Sequence, residues 1–306
     1  MFDLTRNRIP EQVKTIHLIA VCGTAMGALA CMLKDLGFHI TGSDQRVYPP
    51  MSDFLKSKGV MLAEGFQPSH LDYGPDLVVV GNAVSKTNPE VIRMLELGLN
   101  YCSMPQALCR FATAGRRQVL IAGTHGKTTT SSLVAWLLHS AGLEPSFMIG
   151  GILANFNSNY RLGRGEAIVL EGDEYDTAFF DKGPKFLHYQ PEVAVLTSVE
   201  FDHADIFRDL EHVKEAFSTF ISRIPASSSL LAYDQDPNVA ELITAGKCRQ
   251  VGYGRSEFST WRLGRVTLEP PFTSFEVYRD QDLFGCFRAR LIGEHNLHNA
   301  LAAIGV

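Results

Sequence analysis

The stretch VLIAGTHGKTTTSSLVAWLL, residues 119–138, joins an apolar run to a segment of helical period through two glycines and a lysine. Val119, Leu120 and Ile121 read as a buried strand. Leu133, Val134, Trp136, Leu137 and Leu138 supply an apolar helical stripe, which makes Gly123 to Lys127 the turn between the two. Such a turn aims backbone N–H groups at an anion. The helix N-terminus favours negative charge by roughly 0.3–1 kcal/mol, and glycine lets a phosphate approach the main chain. Lys127 then faces terminal phosphates and Thr128 a phosphate-bound Mg²⁺. The strict G-x-x-x-x-G-K-[ST] pattern is not met, because Ile121 stands at its first glycine. The bland alternative is a glycine-capped turn with a solvated lysine.

Working outward, 306 residues with 45% hydrophobic and 20% charged content make a globular chain long enough for two domains. A net charge of −5 without a block of Lys and Arg lacks the footprint of a nucleic-acid binder and points to a small-molecule partner. Six cysteines without C-x-x-C spacing suggest reduced, buried thiols. The start, MFDLTRNRIPEQ, has no apolar signal core, and the apolar stretch from Val21 to Leu33 is broken by Gly23 and Gly27 and too short to span a bilayer. The expected compartment is the cytoplasm.

Strand-like IHLIAV (16–21), helix-like GALACMLKDLG and strand-like FHITGSD form a βαβ unit, and DLVVVG (76–81) with a helix from Asn88–Pro89 continues it. The first domain, 1–113, is therefore expected to be a Rossmann-like doubly wound parallel sheet. The basic, small-residue FATAGRR marks the boundary. The second, 114–306, is expected to be a P-loop ATPase-type α/β domain with strands at AIVLEG (167–172) and VAVLTSV (193–199), a helix from about Leu210 to Ile224, and a small antiparallel appendage within 248–292.

Four further stretches carry chemistry. In AVCGTAMGALA, Gly23 and Gly27 do not form G-x-G-x-x-G, while Asp44 ends the second strand where a ribose or base is read; it also reads as a plain turn carboxylate. VLEGDEYDTAFFD places Glu171, Asp173, Glu174 and Asp176 together, with Glu171 best placed to hold phosphate-bound Mg²⁺ and a solvated acidic loop as the alternative. EFDHADIF puts His203 at another strand end, suited to a second metal or a phosphate. In LIGEHNLHNALAAIGV, Asn296 and Asn299 suit an adenine edge, although Asn296 also reads as a helix cap.

GTHGKTTT, EGDEYD, EFDHADIF and GEHNLHNA, in this order, resemble the Mur ligase family, ATP-dependent amide-forming enzymes of bacterial cell-wall synthesis, over essentially the whole chain. HLIAVCGTAMGALA, VYPPMS and AFFDKGPKFLHYQPEVAVL look closest to the murein-recycling branch, which joins UDP-N-acetylmuramate to L-alanyl-γ-D-glutamyl-meso-diaminopimelate. A sister branch adds L-alanine instead. The resemblance implies γ-phosphoryl transfer from ATP to the lactyl carboxylate, then attack of the peptide amine on the acyl phosphate. It implies that Gly123, Thr124, His125, Gly126, Lys127, Thr128 and Thr129 hold ATP, with Lys127 on the β and γ phosphates. Thr128 and Glu171 would hold one Mg²⁺, His203 with Glu171 a second, and Asn296 and Asn299 the adenine. Gly23, Thr24, Ala25, Met26 and Asp44 would line a UDP pocket, where the fold alone favours a dinucleotide, and His125 and Asn155 would lie near the muramoyl group.

Two departures stand out. HVKEAFS has Phe217 or Ser218 where other branches carry a carbamylated metal-binding lysine, which fits the muramate-accepting branches. The sequence stops at Val306, whereas the family continues into a C-terminal domain; tripeptide recognition is expected mostly there, and this chain alone is expected not to ligate. The alternative from another class is a non-catalytic UDP-sugar and ATP sensor. A kinase or GTPase is disfavoured by the absence of a guanine-reading N-K-x-D.

Overall fold

Continuous apolar runs such as LVVV at 77–80 satisfy a parallel strand covered on both faces, and every residue of that run is fully buried. The computed structural model describes residues 4–202, 204 and 206–306, and the chain divides into two units. The first comprises the residues up to Gly115 with Asn159–Leu162 and Tyr175–His188; the second comprises Arg116–Ser158, Gly163–Glu174 and Tyr189–Val306.

The first unit begins β1 (Thr15–Ile19), α1 (Thr24–Asp35), β2 (His39–Asp44), α2 (Met51–Ser57), β3 (Met61–Glu64), β4 (Leu77–Val80), α3 (Pro89–Glu96), β5 (Tyr101–Ser103) and α4 (Met104–Leu108). Its five-stranded sheet is all parallel in the order β3-β2-β1-β4-β5, the doubly wound arrangement expected. The order reverses between β1 and β4, and a crevice opens at their carboxyl ends. Asn88 caps α3 by accepting from the Glu90 N–H, with Pro89 in its first turn.

In the second unit, β6 (Arg117–Ala122) leads into α5 (Lys127–Ser140), followed by β7 (Ser146–Leu153). Strand β8 (Ser158–Arg161), from Asn159 onward, and the antiparallel pair β10 (Asp176–Ala178) and β11 (Asp181–Pro184) belong to the first unit, and the second unit resumes with β9 (Ala167–Glu171) and β12 (Val193–Leu196). The remainder is α6 (Leu210–Arg223), β13 (Ser229–Tyr233), α7 (Pro237–Leu242), β14 (Arg249–Gly254), β15 (Trp261–Glu269), β16 (Phe272–Arg279), β17 (Asp282–Ala289) and α8 (Glu294–Gly305). Nine strands of this unit follow the order β17-β16-β15-β14-β13-β12-β6-β9-β7. Strand β14 extends the parallel sheet, and the antiparallel part of the appendage starts only at β15, where Trp261 to Ala289 alternate in burial. Val134 and Ala135 of α5 and Leu297 and Leu301 of α8 pack into one core with Ile121, Val169 and Val195 of the sheet.

All six cysteines are free; Cys31, Cys102 and Cys248 are buried as expected, while Cys286 is exposed on β17, where side chains alternate in and out. Among the described residues no helix is long and apolar enough to cross a membrane.

A polar knot lies inside the first unit. Glu90 is fully buried and accepts from Ser43 Oγ at 2.5 Å and from the Gln67 N–H at 3.2 Å, with His70 Nδ1 at 2.6 Å and His17 Nε2 at 3.6 Å. Burial pushes the Glu90 carboxyl up, but hydrogen bonds with His17, Ser43 and His70 outweigh it and hold the group below its ordinary value. Removing the carboxylate strands several buried partners, so Glu90→Ala should cost about 3 kcal/mol or more in urea unfolding at neutral pH. A depressed carboxyl contributes its full stability above its unfolded value of 4.5 and loses it as pH falls through the folded value. The gap between wild type and variant should therefore shrink on acidification below pH 4.5; a gap constant throughout that range would contradict the assignment.

Candidate functional site

Because β6 pairs with β9 on one side and β12 on the other, with Ile121 opposite Glu171 and Ala122 opposite Leu196, the turn after β6 lies between two other carboxyl ends. Two of its glycines have left-handed backbone, Gly123 at φ 130° and Gly126 at φ 81°. A Cβ on Gly123 would lie within 2.9 Å of the Ser198 nitrogen, so glycine is required for closeness as well as conformation. The turn is stitched to the residues after β12. The Thr124 N–H donates to Ser198 O at 2.8 Å, the Glu200 N–H donates to Thr124 Oγ1 at 2.9 Å, and the His125 N–H donates to Ser198 Oγ at 3.1 Å. Thr197 Oγ1 donates to His125 O at 2.5 Å, and the exposed His125 ring stands 3.7 Å from Glu200. Asp236, the cap of α7, accepts from the Val199 N–H at 2.8 Å and fixes that exit in turn.

Lys127 opens α5 and curls over its own turn. Its ammonium donates to Gly123 O at 2.7 Å, to Thr124 O at 3.0 Å and to Glu174 Oε1 at 3.0 Å. Thr128 Oγ1 donates to Glu171 Oε1 at 3.0 Å, and the Gly150 N–H donates to Glu171 Oε2 at 2.9 Å. A hydroxyl and a carboxylate side by side are hard oxygen donors of the kind Mg²⁺ takes, and the backbone amide fixes the carboxylate plane, so these residues fit that ion. Thr128 and Thr129 also line a cavity of about 690 Å³ with Ser132, Trp136, Asn155 and Arg290.

Asn299 is buried against the turn, its Oδ1 2.5 Å from where a Cβ of Gly126 would be, and Asn296 Nδ2 donates to Ile292 O at 2.8 Å. Asn299 thus stands beside the glycine turn, while Asn296, near the start of α8 and 3.5 Å from the Asn299 amide nitrogen, is engaged in tying down the residues before the helix. His203 lies outside the described residues.

In the first unit, a cavity of about 720 Å³ at the carboxyl ends of β1, β2 and β4 is lined by Gly23, Thr24, Met26 and Asp44. Ala25, in the same helical turn, is not on its wall. Asp44 Oδ2 accepts from the Cys22 N–H at 2.8 Å, so this carboxylate also serves the turn. Burial, with Asp44 adding to it, pushes the Cys22 thiol up to about 11, which keeps it neutral here. Arg46 and Tyr48, which sequence reasoning passed over as site residues, also line it; VYPPMS, which holds Tyr48, was the only signal for that residue, and Arg46 had none. Glu174 was visible only as one of four acidic residues, and Thr197 and Ser198 only as a strand end.

Comparison with known proteins bears on both units. Residues 121–306 match the Mur ligase middle domain and residues 15–116 the Mur ligase family, catalytic domain. The chain is 40% identical over 289 residues to UDP-N-acetylmuramate–L-alanyl-γ-D-glutamyl-meso-2,6-diaminoheptandioate ligase of Escherichia coli, spanning 94% of this chain and 63% of that protein. It is 34% identical to UDP-N-acetylmuramate–L-alanine ligase of Myxococcus xanthus, over 99% of this chain and 63% of the relative. The crystal structure of the corresponding tripeptide ligase from Neisseria meningitides superposes with a TM-score of 0.90 at 38% identity, covering 96% of this chain and 93% of that one. The chain spans less than two thirds of the length of these curated relatives, and on both its matched segments it belongs to the Mur ligase family.

Proposed function

We propose that this chain supplies the sugar-nucleotide and ATP sites of an ADP-forming ligase that joins UDP-N-acetylmuramate to L-alanyl-γ-D-glutamyl-meso-diaminopimelate. The observation that carries the reading is the Thr128–Glu171 pair beside a lysine-bearing glycine turn, in a chain of this family. The muramate carboxylate attacks the γ-phosphorus of ATP, the β,γ-bridge bond breaks and ADP leaves. The alanine amine then attacks the acyl carbon, expels inorganic phosphate and loses a proton. Thr128 and Glu171 would hold one Mg²⁺ and Glu171 with His203 a second, and the bound ions would supply neutralisation of phosphate charge. Lys127 and the N-terminus of α5 bring two negatively charged reactants together, the main barrier to the first step. Gly23, Thr24, Met26 and Asp44 hold the uridine end, and Asn296 and Asn299 the adenine.

Two substitutions should dissociate the sites. Lys127→Ala should weaken MgATP roughly 10–100-fold, the loss expected of about 1.5–3 kcal/mol from a charged hydrogen-bonding group, and leave UDP-N-acetylmuramate binding intact. Asp44→Ala should weaken UDP-N-acetylmuramate and UDP alike and spare MgATP. Calorimetric titration of both ligands into each variant reads this; parallel loss of both ligands in either variant would contradict the assignment.

L-Alanine as the acceptor is the second reading, favoured by the M. xanthus relative at its lower identity. With the full-length protein, mass spectrometry of reactions offering both amines should find mainly UDP-muramoyl-tripeptide. Predominant UDP-muramoyl-alanine would favour the second reading, and phosphate release independent of either amine would exclude both.

A further inference from the structure

The two acidic residues Glu171 and Glu174, three apart in the sequence, are separated by their partners. Glu171 turns to Thr128 and the Gly150 amide, whereas Glu174 turns to Lys127, with both its carboxylate oxygens 3.0 Å from the ammonium. The pair is enclosed: the Lys127 side chain is 13% exposed and that of Glu174 4%. An ammonium has three N–H groups, and Gly123 O, Thr124 O and Glu174 account for three acceptors. The lysine is therefore saturated and folded back across the turn, and a phosphate arriving there must take one of those donors. The two carbonyls are fixed by the turn itself. The carboxylate sits on a side chain and is the acceptor able to give way.

We propose that Glu174 is a positioning residue for Lys127. It holds the ammonium across the glycine turn until phosphate arrives and then shares it, while the metal is left to Glu171. This inference rests on reading the turn as a phosphate site. A buried carboxylate beside a buried lysine also keeps the ammonium from standing uncompensated, which a neutral amide in its place cannot do.

The test is the labelling rate of each lysine by an amine-reactive reagent at mildly alkaline pH, followed peptide by peptide by mass spectrometry in wild type, Glu174→Gln and Glu171→Gln. Lys127 should label about 10-fold faster in Glu174→Gln, the factor equivalent to about 1.4 kcal/mol of lost holding energy. The other lysines should be unchanged, and Lys127 in Glu171→Gln should match wild type. Calorimetry should show MgATP weakened in Glu174→Gln by a similar factor, with the Mg²⁺ concentration dependence unaltered, whereas Glu171→Gln shifts that dependence. An unchanged Lys127 rate in folded Glu174→Gln, or a Mg²⁺ dependence displaced as in Glu171→Gln, would overturn the role. Wild type alone supplies a check should the variant not fold. Lys214, at 12% exposed, is similarly covered, but its partner Glu241 is 64% exposed, so Lys127 should label more slowly than Lys214, and the reverse order would also overturn it. Absence of MgATP binding by wild type would count against the phosphate reading, whereas an unaltered Lys127 rate counts against Glu174 alone.

Discussion

The second unit depends on the pairing of β6 between β9 and β12. Parallel strands end on one side of a sheet, so this adjacency brings a glycine turn, an acidic strand end and the Thr-Ser-Val-Glu exit to one place with no long loop. The hydrogen bonds from Thr124 and His125 to Ser198 then lock the turn to its neighbour, and left-handed Gly123 and Gly126 let the chain pass close to Thr197 and Asn299. A turn tied down by this many hydrogen bonds has little left to reorganise when charge arrives.

Charge in that region is arranged by the choice of partners. Glu171 lies beside the Thr128 hydroxyl, Glu174 meets the Lys127 ammonium, and Asp236 holds the backbone that follows β12. Two carboxylates competing for one lysine would leave the Mg²⁺ position proposed at Thr128 without a dedicated carboxylate. The first unit solves a similar problem with one buried carboxylate, Glu90, shared among partners from β1, β2 and the turn before β4. There the partners bind together the elements behind the cavity.

Much of this was legible in the sequence. Strand–glycine–helix order fixed the place of Lys127 and Thr128, and the alternation of strand-like and helix-like runs announced the parallel sheet of the first unit. What was not legible depended on pairing order. Nothing in EGDEYD says that Glu174 rather than Asp173 meets Lys127, because that follows from how the chain turns after β9. Strand β14 was hidden among alternating residues, since RQVGYG reads equally as a hairpin arm until its pairing with β13 is known. The Glu90 knot joins residues 73 positions apart in sequence, from His17 to Glu90, and such contacts leave no local signature.

The reaction is tested most directly by positional isotope exchange in ATP labelled with heavy oxygen in the β,γ-bridge, incubated with this chain, Mg²⁺ and UDP-N-acetylmuramate but no amine. Reversible transfer of the γ-phosphoryl to the muramate carboxylate frees the β-phosphate of ADP to rotate, so re-formed ATP carries the label in β-nonbridging positions. Scrambling that requires UDP-N-acetylmuramate is the predicted result. Both ligands bound with no scrambling would contradict it and leave the chain a binding module without the first chemical step.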